Sequence, residues 1–416
     1  MHSEALIDAP VTGAPEEAVG SVRRILWLTW KDPAPERDGQ RIYSGRLIAA
    51  VAAAGARVDV LCMAGEQARP APAAAPCNLR WHPIEVPLPP RWLSAISRLP
   101  NVAHRSGPRR MQAALRQCLS AIRWDLVVLE GLATGWALPM LLAIPPGRRP
   151  KIVHVSHNHE ASTRHRVADD YRGNPLIRLA LRRDAAKARR LENRMVAAAD
   201  LVTAITPADA ALYRIDHPGK RVEVLTPGFA GSRLRERHVD RSLPRLAVVV
   251  GSFRWIAKRM NLEAFVRVAD PLFEAAAVRL QVVGDGEPAL LDALQRDCRA
   301  VQLVGPVDDL TPYLRAARIA IVPELTGGGF KLKVLDYVFN RVPIFAMAGS
   351  VAGTPLRDEH SVRLFRSFQS LARAVVDTID DTSALDRMQQ QAFDLCDHRF
   401  DWAERGHRLA AAMDRL

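Results

Sequence analysis

Residues 323–346 read PELTGGGFKLKVLDYVFNRVPIFA, and the order of residue types in this stretch decides the fold. ARIAIVPE (317–324) is a short apolar run, three glycines follow, and FKLKVLDYVFN then carries apolar residues at helical spacing. Strand, glycine turn and helix in immediate succession make up the repeating unit of parallel α/β sheets. Glycine lets backbone approach a ligand closely, and a helix start offers unpaired N–H groups with partial positive charge. The expected guest is therefore an anion such as phosphate, or a sugar hydroxyl. The spacing is not that of a P-loop, because Phe330 and Lys331 follow Gly329, so a simple ATPase reading fails. Lys333 and Asp336 lie three apart on one helix face, with Leu332, Leu335 and Phe339 on the buried one. A carboxylate so placed can accept two ribose hydroxyls. Taken alone, the stretch also reads as a mobile loop beside a surface ion pair.

Its surroundings repeat the pattern. ILWLT, RVDVLCM, WDLVVLE (124–130), KIVHV (151–155), ADLVTAI (199–205) and RVEVLT (221–226) read as strands between helical or irregular stretches. The rhythm restarts at RLAVVVGSFRW (245–255) and continues through VRLQVVGDGE (278–287), VQLVGPV (301–307) and ARIAIVPE to RVPIFAM (341–347). Two Rossmann-like units are expected, joined near 231–244, where arginines and polar residues show no periodic face. The expected division is a flexible tail at 1–21, an N-terminal domain at 22–232, a C-terminal domain at 233–398 and a final amphipathic helix at 399–416. ARPAPAAAPC (68–77) reads as an exposed Pro/Ala loop.

The 416-residue chain is long enough for two cores. Its composition, 48% hydrophobic and 25% charged, is that of a soluble fold, and no apolar run approaches the ~20 residues of a membrane span. Residues 1–21 lack a basic start and an apolar core, so the expected location is cytoplasmic. Five scattered cysteines without a CxxC pair exclude a disulfide framework and a zinc site. The net charge of +13 fits either a solvated surface or an anionic partner.

The motifs as a set resemble the GT-B glycosyltransferases, particularly the large retaining family 4. That resemblance rests on VPELTGGGFKLKVLDYVFNRVPIFA, VVVGSFRW, LQVVGDGE and VQLVGPVDDLTPYLRAARIAIVP, and it extends over roughly 23–416. It implies an α/β GT-B fold, two Rossmann-like domains facing across a cleft, with the C-terminal helix crossing back to the N-terminal domain. It implies a hexosyltransferase using a nucleoside diphosphate sugar, without cofactor or metal. In this family two glutamates often stand eight residues apart; here the positions hold Gly328 and Asp336. Asn340 stands in for a glycine after the helix, and asparagine also visits the left-handed region.

By the same resemblance Gly251, Gly328, Gly329, Lys333 and Asp336 bind the donor, and Arg254 and Lys258 meet its diphosphate, the leaving group. Arg259 rivals Lys258 because the register differs by about one residue. HVSHNHEASTR (154–164) is similar to an HNxE loop, which sets His157 toward the donor sugar and gives Asn158 and Glu160 the holding of the loop. His154 reads as core, and Glu192 as structural. RDGQR (37–41) places Gly39 and Arg41 near the acceptor or the donor phosphate, though an ordinary helix-start glycine fits as well. Residues 89–112 combine Trp92, Leu93, Ile96 and Leu99 with five arginines. They read either as a peripheral contact with an anionic membrane on its inner face or as a core-packing helix with a basic loop.

The expected acceptor is a glycan, a lipid-linked or a small molecule, and nucleic acid is not expected, since no aromatic–basic platform occurs. Two other readings keep the fold: a nucleotide-sugar epimerase, which needs carboxylates placed for elimination, and a binding protein with a decayed site.

Overall fold

Alternating apolar strands and amphipathic helices build two parallel sheets in the computed structural model of the chain, which describes residues 23–36, 38–65 and 77–416. The expected tail at 1–21 and most of the Pro/Ala loop lie outside the described residues. The first sheet holds β1 (Arg24–Lys31), β2 (Arg57–Met63), β3 (Leu79–Ile84), β4 (Leu126–Glu130), β5 (Lys151–Val155), β6 (Leu201–Ala204) and β7 (Val222–Val224). Their order across it is β3-β2-β1-β4-β5-β6-β7. The second holds β8 (Leu246–Val250), β9 (Arg279–Val283), β10 (Val301–Gly305), β11 (Ile319–Val322), β12 (Ile344–Met347) and β13 (Arg363–Phe365), ordered β10-β9-β8-β11-β12-β13. The inner strands β4, β8, β11 and β12 are buried along their whole length, as strands covered by helices on both faces must be.

In each sheet the strand order reverses once, between β1 and β4 and between β8 and β11. At such a switch point the connections leave in opposite directions and open a crevice beyond the carboxyl ends of the strands. The residues that follow these four strands are therefore the ones the fold delivers to a ligand. They include Glu130 at the end of β4, Gly251 after β8, and Glu324 with the glycine turn after β11.

No helix or strand lies between β7 and β8, at 225–245. The helix Trp402–Asp414 lies against the helix Gly39–Ala53, and Leu409, Ala412 and Met413 share a buried cluster with Tyr43, Leu47 and Val51 of the N-terminal domain. A Cβ on Gly406 would come within 2.3 Å of the Ala50 carbonyl oxygen, so only glycine permits this approach.

The structure corrects one local reading. Asn340 stays right-handed, φ −95°, and the positive φ after the helix Lys333–Phe339 falls on Arg341 at 55°. Arg341 is held in this strained conformation by its side chain, which stacks on Phe393 at 3.9 Å and donates to the Leu234 carbonyl and to Gln390.

Candidate functional site

The C-terminal half of the site is a cluster of lysines around one buried acid. Glu324 lies two residues past the end of β11; its Oε1 lies 2.6 Å from Lys333 Nζ and its Oε2 3.1 Å from Lys331 Nζ. Burial pushes the Glu324 carboxyl up, but Lys333, Lys331 and then Lys258 outweigh it and hold the group well below the usual carboxylate range. Lys331 also donates to the Gly328 carbonyl at 2.6 Å. Lys258, on the helix Ile256–Ala275, makes no hydrogen bond or ion pair among the described residues, and burial lowers its pKa. Asn261, on the same helix, exchanges two hydrogen bonds with the Thr326 backbone, at 2.6 and 3.0 Å, and so pins the start of the glycine turn. Gly251 leaves room for the Lys333 ammonium, which a Cβ would approach to 3.1 Å.

Lys333 and Asp336 thus do not pair at the surface. Lys333 is buried and turns to Glu324, whereas the partly buried Asp336 carboxylate accepts no hydrogen bond and makes no ion pair among the described residues. Burial lifts its pKa to about 6. Leu332 is only half-buried, and the helix starts at Lys333, three residues later than the apolar spacing suggested.

The N-terminal half is built on Glu130, wholly buried at the end of β4. Its carboxylate accepts from Trp27 Nε1 at 2.7 Å and from Ser44 Oγ, and lies 2.9 Å from His157 Nε2. His157, in the loop after β5, also meets the Tyr43 ring edge-on at 5.5 Å. The loop is fixed from below. Glu192 accepts from the backbone N–H groups of Glu160 and Ala161 and from Tyr213, and burial lifts its carboxyl to about 7. Asn158 donates to Glu160, which pairs with Arg164. His154 faces the core, and burial lowers its pKa to about 4.

The two halves touch. A Cβ on Gly329, whose φ is +69°, would sit 2.3 Å from Asn158 Oδ1 and 2.8 Å from the His157 carbonyl oxygen; one on Gly328 would sit 2.4 Å from Thr163 Oγ1. Thr326 Oγ1 donates to Asp170 at 2.6 Å. Gly39 opens its helix behind the N-cap Asp38 and admits Leu332 of the other domain, 3.2 Å from where a Cβ would be. The Asp38 charge reaches Lys258.

Of the residues singled out from the sequence, Gly251, Lys258, Lys333, Gly328 and Gly329 surround or border the Glu324 cluster, and His157, Asn158 and Gly39 face it from the other domain. Arg254 pairs with Asp285 and is 73% exposed, Arg259 pairs with Glu287, and Arg41 pairs with Asp38 on its own helix turn. Between the rivals Lys258 and Arg259, then, Lys258 is the one among the lysines. Sequence reasoning missed Glu130, Glu324 and Lys331. The available signal was position: both acids stand at the carboxyl ends of strands that flank a switch point. Among the described residues no group of three or more His, Cys, Asp or Glu could hold a metal ion.

Comparison with known proteins agrees with the division into two halves. Residues 38–228 match the family model described as "Glycosyl transferase 4-like domain", and residues 244–381 the one described as "Glycosyl transferases group 1". No curated protein matches the chain. Among solved structures it is similar to a sucrose-phosphate synthase from Thermosynechococcus elongatus, at 18% identity, TM-score 0.66, covering 95% of this chain and 99% of that one. WaaG, a glycosyltransferase involved in lipopolysaccharide biosynthesis, is similar at 16% identity, TM-score 0.61, covering 94% and 99%. Anabaena HepE in complex with UDP-glucose is similar at 16% identity, TM-score 0.61, covering 94% and 100%.

Proposed function

Since the chain is a glycosyltransferase of GT-B fold, its N-terminal half of the 4-like type and its C-terminal half of group 1, we propose that it moves a hexosyl group from a nucleoside diphosphate sugar to an acceptor hydroxyl with retention and without a metal. The observation that carries this reading is the lysine cluster of Lys258, Lys331 and Lys333 beside the unpaired Asp336 carboxylate, at the switch point of the C-terminal sheet. Asp336 accepts the ribose hydroxyls, and the lysines receive the diphosphate. HepE, whose structure holds UDP-glucose, has a similar fold and supports a nucleotide-sugar donor.

In the reaction the bond between the anomeric carbon and the diphosphate oxygen breaks and its electron pair leaves with the diphosphate. The acceptor oxygen forms the new bond on the same face, and its proton passes to the departing phosphate oxygen. Ammonium groups aimed where negative charge grows lower this barrier in place of a metal. His157, oriented by Glu130, faces the sugar, while Gly328 and Gly329 hold the turn against it. Arg254 acts at the rim, where it is paired with Asp285.

No helix among the described residues is long and apolar enough to cross a membrane. Trp92 and Ile96 are 70% and 83% exposed beside Arg91 and Arg98, so the membrane alternative for 89–112 is the one we adopt: a cytoplasmic enzyme lying on an anionic lipid surface. A thermal-shift panel of UDP, GDP, ADP and their sugars, followed by transfer assays that read the product anomer, tests the function. Rapid acceptor-independent release of monosaccharide, or an inverted product, would count against it. Co-sedimentation with anionic vesicles tests the surface, and equal binding to neutral ones would remove it.

A further inference from the structure

The Glu324 carboxylate occupies the place among the lysines that an anion would take. It is 5% exposed, its two oxygens go to two different ammonium groups, and the charge of a third lysine, Lys258, acts on it as well. The backbone behind it is fixed: Ser350 Oγ donates to the Glu324 carbonyl at 3.0 Å, and Asn261 clamps Thr326 two residues on. The carboxylate cannot retreat with the chain; it can only share or yield its partners by rotating its side chain.

We propose that Glu324 is a built-in competitor for the diphosphate, set to weaken the grip of the lysines so that the product leaves. This rests on the reading that the lysines receive the diphosphate. Three ammonium groups and one carboxylate leave a net of about two positive charges, against about three without the acid. A seat of net three would hold the product diphosphate, which carries one more negative charge than the donor, more tightly still, and a product held that tightly leaves slowly and limits turnover. Donor capacity points the same way. An ammonium has three N–H donors, and Lys331 already spends one on the Gly328 carbonyl while its charge is paired with Glu324 at 3.1 Å. A phosphate oxygen that comes to lie against Lys331 and Lys333 therefore meets the Glu324 carboxylate already in that place and has to displace it or share with it.

The test is calorimetric titration of wild type, Glu324→Gln and Glu324→Asp with UDP, GDP and ADP and with inorganic pyrophosphate at fixed ionic strength. Glu324→Gln is expected to bind pyrophosphate and the preferred nucleoside diphosphate at least tenfold more tightly, and to show a product burst followed by slower turnover. Glu324→Asp, which keeps the charge, is expected within threefold of wild type. Unchanged or weaker binding of pyrophosphate by a folded Glu324→Gln overturns the proposal. Should that variant fail to fold, Lys331→Gln is compared with Glu324→Gln/Lys331→Gln; the double variant is expected to bind pyrophosphate at least tenfold more tightly, and equal binding overturns the idea. Wild type that binds pyrophosphate but no nucleotide would sink the nucleotide-sugar reading alone, and wild type that binds neither would sink both.

Discussion

His157 Nε2 lies 2.9 Å from Glu130 Oε1, and that carboxylate, fully buried, is also the acceptor for Trp27 and Ser44. One acid at the end of β4 therefore holds three elements together: β1, the first helix and the loop that carries His157. A hydrogen bond on one ring nitrogen fixes which way the other nitrogen points.

Glu130→Gln replaces one acceptor oxygen by an amide that cannot accept, so one donor is left unpaired in a buried site, at about 1–3 kcal/mol of stability. If Glu130 acts through His157, the activity losses will not add. Glu130→Gln/His157→Ala should turn over about as slowly as His157→Ala alone, whereas fully additive losses would show that the two act separately. Steady-state kinetics on the three variants, with melting curves as the control for folding, decide it.

Lys258 carries a charge that burial disfavours and no direct partner offsets. Its folded pKa is depressed below the unfolded value, so the charged form contributes nothing to stability. Lys258→Met should therefore keep or raise the melting temperature while slowing turnover by about 3 kcal/mol of barrier, the usual loss for one group aimed at developing negative charge. Normal turnover in a stable variant would take Lys258 out of the reaction.

Gly329→Ala meets two obstacles. The φ of +69° costs a residue with a side chain about 1–2 kcal/mol, and the new methyl group would strike Asn158 of the other domain at 2.3 Å. Activity should fall sharply, and Asn158→Ala in the same chain should restore part of it by removing the collision. No restoration would show that the backbone strain or the remaining approach to the His157 carbonyl oxygen at 2.8 Å, and not the Asn158 side chain, is what matters.

Much of the fold could be read because the inner strands are buried along most of their length and write themselves as nearly continuous apolar runs: LVVLE, KIVHV, LAVVV, IAIV. Two of the four edge strands were not legible. β3 reads LRWHPI, exposes much of its length and contains a proline, and β13 has three residues. At the site, the glycine turn and Lys333 stood out by composition. Glu130 and Glu324 did not, because each is a single acid closing an apolar strand, and only the strand order shows that both strands flank a crevice. The close fit of Gly328 and Gly329 to Asn158 and Thr163 was out of reach too, since it joins residues some 165 positions apart. The local pattern suggested bare backbone for a ligand, and the structure shows it also serves the contact between domains.

The pKa of Asp336 supplies a test that needs no activity. Burial lifts its carboxyl from 3.8 to about 6. A folded value above the unfolded one means that the folded state favours the protonated form, so this group's contribution to stability is present below the unfolded value and is lost as pH rises through 6. Binding runs the other way, because only the ionised carboxylate can accept from both ribose hydroxyls. Nucleoside diphosphate affinity should therefore strengthen between pH 5 and 7, and Asp336→Asn should remove that rise and cost about 1.5–3 kcal/mol of binding at pH 7. Asp336→Glu should keep most of it. Pyrophosphate, which has no ribose, reports whatever the lysines and histidines contribute over the same range, and it should bind wild type and Asp336→Asn alike. If the asparagine variant loses affinity for pyrophosphate as much as for the nucleotide, Asp336 shapes the lysine cluster and touches no ribose.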